Sequence, residues 1–234
     1  AHADGEPFTG ELPQRRAITP PEACPACDGP IEIEGAFIRC TDVQCSARLG
    51  RSILYYCRAL EMDGIGEKLV EQLIDEGCIS SIPDLYRLDE RMLLSLDRMG
   101  QKSADNVLNE IQKSRSMTFS KFLSALGLPG IGPELASAIS NHFAQPENLL
   151  QWVEESQDDS SRISELTSID GVGEIVALQL RDGIHLRRAF ILDLLTQLTI
   201  TKEAQVAAGG PFEGLTFCVK GTLSESRKSI QARI

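Results

Sequence analysis

A Gly-hydrophobic-Gly step recurs along this chain, each time between two stretches of helical periodicity. It reads Gly64-Ile65-Gly66, Gly130-Ile131-Gly132 and Gly171-Val172-Gly173, with a degenerate copy at Arg98-Met99-Gly100. The last glycines of successive copies stand 34, 32 and 41 residues apart. Four such steps in series constrain the chain to a mainly α array of repeated units. They also describe a surface suited to holding a nucleic-acid duplex without reading its sequence.

Aligning the copies on their last glycine brings equivalent positions into view. Four residues on stand Val70, Ala104, Ala136 and Ala177, and seven on stand Leu73, Val107, Ile139 and Leu180. Three residues on are Leu69, Ser103, Leu135 and Val176. Offsets of three, four and seven share one helix face, so an amphipathic helix follows each step. Apolar runs precede the steps as well, such as Met92, Leu93 and Leu96, and Phe119, Phe122, Leu123 and Leu126. Each unit is therefore helix, tight turn, helix. Pro133 suits a first helical position, where its missing N–H costs nothing.

The glycines fit two demands. A turn this tight needs a positive φ, which glycine adopts cheaply. Without side chains, a phosphate can also approach the free N–H groups at a helix N-terminus, where the dipole is positive. Such contacts give grip and register but no sequence specificity. The candidate DNA-contacting residues are Gly64, Gly66, Lys68, Arg98, Gly100, Lys102, Gly130, Gly132, Gly171 and Gly173. Lys68 and Lys102 stand two residues past the last glycine, placed to add charge; Glu134 and Ile175 hold that place in copies three and four. Copy two, with Arg98 for its first glycine, is expected to depart in conformation, although Arg98 can itself reach a phosphate. Ile65, Met99, Ile131 and Val172 are expected to point inward.

The formal net charge of −11 is awkward for a nucleic-acid binder. Residues 60–200 hold 12 Lys and Arg against 23 Asp and Glu, so the acidity lies in the repeats themselves. Grip there must come from local geometry and not from a bulk field. Aromatic residues are 5% of the chain, too few for base stacking to be the main contact. No apolar run reaches 18 residues, and no charged-then-apolar signal opens the chain, so neither a membrane span nor export is expected.

Of the seven cysteines, Cys24, Cys27, Cys40 and Cys45 form two close pairs, Cys-x2-Cys and Cys-x4-Cys, with 12 residues between. Short apolar alternation at Ile31-Glu32-Ile33 and Phe37-Ile38 fills the gap. Paired thiolates on two tight turns suit a closed, structural, tetrahedral zinc site. The odd total argues against a disulfide framework and for the reducing cytosol. Cys57, Cys78 and Cys218 read as ordinary cysteines. Residues 52–62 look helical. Residues 184–199 look like one further helix, with Leu186, Phe190, Leu194 and Leu198 on one face. Thr201 to Gly210 reads as a linker, and a strand-like Leu215 to Val219 opens the segment from Pro211.

The finger leads through Cys57-Arg58-Ala59-Leu60-Glu61-Met62-Asp63-Gly64-Ile65-Gly66 into four tandem units. In this it resembles the C-terminal half of the bacterial NAD-dependent DNA ligases. Met99 to Val107 looks like that family's second hairpin, and Phe119 to Gly132 is similar to its third. Phe212 to Leu223 looks like the first strand of a BRCT domain, although Lys220-Gly221-Thr222 departs from the usual Thr-Gly. The resemblance implies an exit from an OB-fold domain at 1–21 and a small four-cysteine zinc finger at 22–50. It implies a four-unit helix-hairpin-helix domain at 51–200, a linker at 201–210 and a truncated α/β BRCT start at 211–234. It further implies a parent enzyme sealing nicks in duplex DNA during replication and repair, using NAD and magnesium at sites outside this chain. The lysine that becomes adenylated in the family lies two residues before an Asp-Gly, and Glu61-Met62 precedes Asp63-Gly64 here. This chain alone is thus expected to be a monomeric, inactive clamp for nicked duplex DNA, with no catalytic residue of its own.

Other readings remain open on the residues alone. One is a stand-alone zinc-finger and hairpin scaffold for DNA repair with no ligase parent. A glycosylase would use one hairpin with a lysine in its turn and a following aspartate, which four tandem copies fit poorly. A helical protein-interaction array would suit the acidic surface.

Overall fold

Alternation between the two cysteine pairs resolves into a hairpin, β1 (Ile31–Glu34) and β2 (Phe37–Cys40), antiparallel with Ile31 opposite Cys40 and Ile33 opposite Ile38. The computed structural model describes residues 19–35, 37–42, 45–154 and 159–202. Most of the expected OB-fold exit, nearly all of the linker, and the BRCT start lie outside those residues. Cys45 then stands at the N-cap of α1 (Ser46–Ala59), so the finger runs directly into the helical array.

The array is four successive pairs of helices. The first pair is α1 with α2 (Glu67–Asp75). A 3-10 segment, Ile82–Arg87, leads to the second, α3 (Glu90–Leu94) with α4 (Gln101–Lys113). The third is α5 (Phe119–Ala125) with α6 (Pro133–Phe143). An extra helix, α7 (Pro146–Glu154), precedes the fourth pair, α8 (Asp159–Thr167) with α9 (Glu174–Leu186). That insertion accounts for the longer spacing between the last two glycine steps.

One continuous apolar core, from Ile53 to Leu194, runs through all four pairs. The periodicity places it: Val70, Leu73, Ala104, Val107, Ala136, Ile139, Ala177 and Leu180 are all buried. At the third offset, Leu69, Leu135 and Val176 are half-buried and Ser103 is exposed. In the middle of the core the Tyr56 and Tyr86 hydroxyls share a 2.7 Å hydrogen bond, and the Ser114 hydroxyl donates to Tyr86 at 3.2 Å. Burial pushes Tyr56 far above its ordinary pKa and lifts the Cys57 thiol to about 12, leaving both neutral.

Two features depart from the sequence expectation. The single helix expected over 184–199 breaks at Arg187 into the end of α9 and a separate α10 (Arg188–Leu195). Leu186 is exposed, so it does not share a buried face with Leu194. The chain then forms β4 (Thr199–Thr201), which pairs in parallel with β3 (Ser116–Thr118) between the second and third pairs. Arg115 fixes that junction. Its carbonyl accepts from the Thr199 N–H at 2.7 Å, its guanidinium donates to the Gln197 carbonyl at 3.0 Å, and it lies over the Tyr86 ring. Arg87 adds ion pairs to Asp84 and, across to α10, Asp193. No helix among the described residues is long and apolar enough to cross a membrane.

Candidate nucleic-acid interface and metal centre

All four turns share one backbone conformation. The first position of each step is left-handed: Gly64 at φ 81°, Arg98 at 58°, Gly130 at 74° and Gly171 at 78°. The last is an extended N-cap: Gly66 at φ −98°, Gly100 at −94°, Gly132 at −87° and Gly173 at −83°. The expectation that copy two departs is therefore overturned. Arg98 enters the left-handed region because Met99 and α4 pack as their counterparts do, at a cost of roughly 1–2 kcal/mol. Ile65, Ile131 and Val172 are buried and Met99 half-buried, which pins each turn to the core.

The helices that follow the turns begin without a side-chain cap. None of α2, α4, α6 and α9 has its first-turn N–H groups bonded by an N-cap side chain, because glycine has none; in α4 the Ser103 N–H donates instead to the Gly100 carbonyl at 3.0 Å. By contrast, Asp89 caps α3 through the Met92 N–H at 2.8 Å, and Thr118 caps α5 through the Lys121 N–H at 3.3 Å. Gly66, Gly100, Gly132 and Gly173 are exposed, and an added Cβ at any of them meets nothing within 4 Å. Free donors at an open helix N-terminus can accept an anion.

The turns differ in what surrounds them. Gly130 lies against α9, where an added Cβ would stand 2.9 Å from Gln179 Oε1 and 3.5 Å from Val176 Cγ2. Gly171 lies against α6, where the same atom would stand 3.0 Å from Leu135 Cδ2. Leu135 and Val176 occupy the same offset in their own copies, so hairpins three and four pack reciprocally, each on the other's second helix. Gly64 is open, although the adjacent Asp63 N–H donates to Glu110 on α4 at 3.5 Å. A single sequence carries no signal of which glycine faces a neighbour.

Charge also distinguishes them. Lys68 and Lys102 are exposed, and the Arg98 side chain is 92% exposed beside Asp97 at 3.5 Å. Glu67, Glu134 and Glu174 sit in the first turns of α2, α6 and α9, whereas α4 has no acid there. Hairpin two is thus the most cationic of the four. Hairpin four instead presents Ile175, exposed, where hairpins one and two carry lysine.

Away from the turns, Cys24, Cys27, Cys40 and Cys45 bring their sulfurs within 4.8 Å of one another. Cys24 and Cys45 sulfurs are 3.9 Å apart, and those of Cys27 and Cys40 are 3.6 Å apart. Four thiolates about 2.3 Å from a central ion in a tetrahedron would be about 3.8 Å apart, so the cluster fits a metal ion of zinc's size. The Ala26 N–H lowers the Cys24 thiol to about 7. The Gly29 N–H acts in the same sense on Cys27, but loss of water and the three neighbouring thiols outweigh it and push Cys27 up to about 12. Four thiols this close cannot all ionise without a cation among them.

The pattern of the SAM-like helix-hairpin-helix tandem family matches residues 58–113 and 122–185. Over 96% of its length the chain is 36% identical to a DNA ligase of Methylacidiphilum infernorum, covering 32% of that protein. It is 34% identical over 93% of its length to a DNA ligase of Coprothermobacter proteolyticus, again covering 32%. A DNA ligase of Methylococcus capsulatus is 35% identical over 92% of the chain, with 32% of that protein covered. The chain spans about a third of the length of the curated relatives it matches.

Proposed function

We propose that this chain, which belongs to the SAM-like helix-hairpin-helix tandem family, is the DNA-clamping C-terminal part of an NAD-dependent DNA ligase. The observation that carries the reading is the fourfold repetition of one turn geometry, each time with an exposed glycine N-cap that gives the following helix no side-chain cap. The amides at those N-termini take phosphodiester oxygens of duplex DNA, with Lys68, Arg98 and Lys102 adding charge at hairpins one and two. Grip of this kind is independent of base sequence. The similarity to DNA ligases over nearly the whole chain supports a ligase parent. In that parent, nick sealing with NAD and magnesium is the work of the remaining two-thirds.

The Cys24, Cys27, Cys40 and Cys45 cluster holds a structural zinc ion, which ties the two thiol turns together and supplies no open position for chemistry. Residues 22–50 are then a finger seated at the head of α1, and residues 51–200 are the clamp. Thiolate zinc and the reduced Cys57 and Cys78 suit the cytoplasm.

Binding to a fluorescein-labelled duplex tests the reading. The chain should bind nicked and intact duplexes of unrelated sequence with similar, weak and salt-sensitive affinity, slightly favouring the nick. Replacing both Lys68 and Lys102 with Ala should weaken binding about tenfold or more. Equal affinity of wild type and double variant would refute it and leave the hairpins as a protein-interaction surface, and sequence-selective binding would refute a grip confined to the backbone.

A further inference from the structure

In a helical array dominated by acid, three arginines gather without one. Arg48 and Arg51 stand one turn apart on α1, both exposed. Arg187, at the break between α9 and α10, is half-buried. Arg48 donates to the Asp42 carbonyl at 3.2 Å and Arg187 to the Leu126 carbonyl at 2.8 Å, both backbone acceptors. Among the described residues no carboxylate pairs with any of the three. Burial, and then the positive charge of Arg48, weaken the hold of Arg187 on its proton. Cations held together unneutralised are stabilised by an anion between them.

The three line one groove of about 1100 Å3 between α1, the Leu126–Leu128 turn and the α9–α10 break. Its walls are fixed. The Tyr55 ring lies where a Cβ on Gly127 would stand, at 3.0 Å, and its hydroxyl donates to the Ser124 carbonyl at 3.1 Å. Leu128 closes on Gly183 in the same way, at 2.8 Å. A second hollow of about 400 Å3 shares Leu186 and Arg187 with the first and is lined by Pro129 and Ile175. Pro129 adjoins Gly130, and Ile175 is two residues past Gly173. The groove is therefore continuous with the turns of hairpins three and four.

We propose that this groove is a second seat for the DNA backbone, taking the sugar–phosphate strand as it leaves hairpins three and four. Phosphates meet Arg48, Arg51 and Arg187, and the apolar faces of the deoxyriboses lie on Leu128 and Phe190. The proposal rests on the DNA-clamping reading. Continuity with the hairpins favours DNA over an acidic peptide, the other ligand such a groove could take. It also gives hairpins three and four, which carry glutamate in their first turns, the cations they lack.

Arg48→Glu/Arg51→Glu tests it, both residues being exposed on one helix face, with helical circular dichroism and melting as the check of folding. Affinity for nicked duplex should fall about tenfold or more. The slope of log affinity against log salt should shrink by about 2, one per lost phosphate contact. Arg48→Lys/Arg51→Lys should retain most of that slope. Unchanged affinity and slope in the glutamate variant, while Lys68→Ala/Lys102→Ala still weakens binding, would overturn the groove and leave the hairpin reading standing. A glutamate variant that keeps its DNA affinity but loses binding to a Glu/Leu peptide would reassign the groove to an acidic protein. If the unaltered chain bound no duplex at all, both readings would fall together.

Discussion

Arg98 carries two opposed consequences at a single position. Its left-handed backbone is strained for an L-residue, while its extended, exposed side chain is one of few cations beside a turn. Arg98→Gly should therefore stabilise the fold by about 1 kcal/mol, less a little for glycine's greater unfolded entropy. The same change should weaken duplex binding and lower its salt slope by about 1. Urea melts and anisotropy titrations on one preparation should move in opposite directions. Asp84 is a second residue with a readable signature. Partial burial works to raise its pKa, but the Ser80 N–H at 3.0 Å, the Ser81 hydroxyl at 2.8 Å, the Ser80 hydroxyl at 2.9 Å and Arg87 outweigh it and hold the carboxyl at about 2. Because that lies below the unfolded value of 3.8, its contribution is complete above about pH 5 and fades as pH falls towards 2. After allowance for solvent screening it is worth about 1 kcal/mol. Asp84→Asn should be less stable than wild type at pH 6 and converge with it near pH 2, as followed by urea midpoints.

At the scale of the hairpin, the two glycines of one step do different work. Gly132 is an extended N-cap with open space around it, whereas Gly130 combines a positive φ with close packing on Gln179. Gly132→Ala should keep its melting temperature and lose DNA affinity, because the new methyl stands in the phosphate's approach. Gly130→Ala should lose about 1–2 kcal/mol of stability. If Gly132→Ala bound as tightly as wild type, the amides of hairpin three would be idle. The repeated units, their buried offsets and the cysteine quartet are legible in sequence because each is a local pattern whose period or spacing fixes its geometry. What is not legible is long-range. Nothing near Gly130 says that Val176 lies on it, nothing near Thr199 says that Ser116 is its partner, and the assembly of Arg48 with Arg187 joins residues from opposite ends of the array. The Arg98 turn defeats a local reading for a related reason: local preference favours glycine there, but packing of Met99 and α4 overrides it.

Among the described residues, a four-cysteine head leads into an apolar core that includes none of those four thiols. The buried apolar cluster begins at Ile53, beyond Cys45, the last of the four clustered thiols, so the two should separate under chelation. Purified, reduced protein should carry about one zinc per chain. Removing it should release hydrogen-exchange protection in residues 22–45 while helical circular dichroism changes little. Collapse of the helical signal would mean that the cysteine head is part of the helical core. The −11 charge sets the other global property: few cations release counterions, so binding should be weak, with a log-affinity slope against log salt of only a few units. The parallel pairing of β3 with β4 then determines how force travels. A pull applied at Lys202 is not felt first by α10 and the fourth helix pair, which precede it in sequence. It reaches the seam between the second and third pairs and loads three paired residues in shear. The stretch from β3 to β4 is a closed loop enclosing the third and fourth pairs, so tension from the C-terminal side bypasses them and is borne by the middle of the helical array.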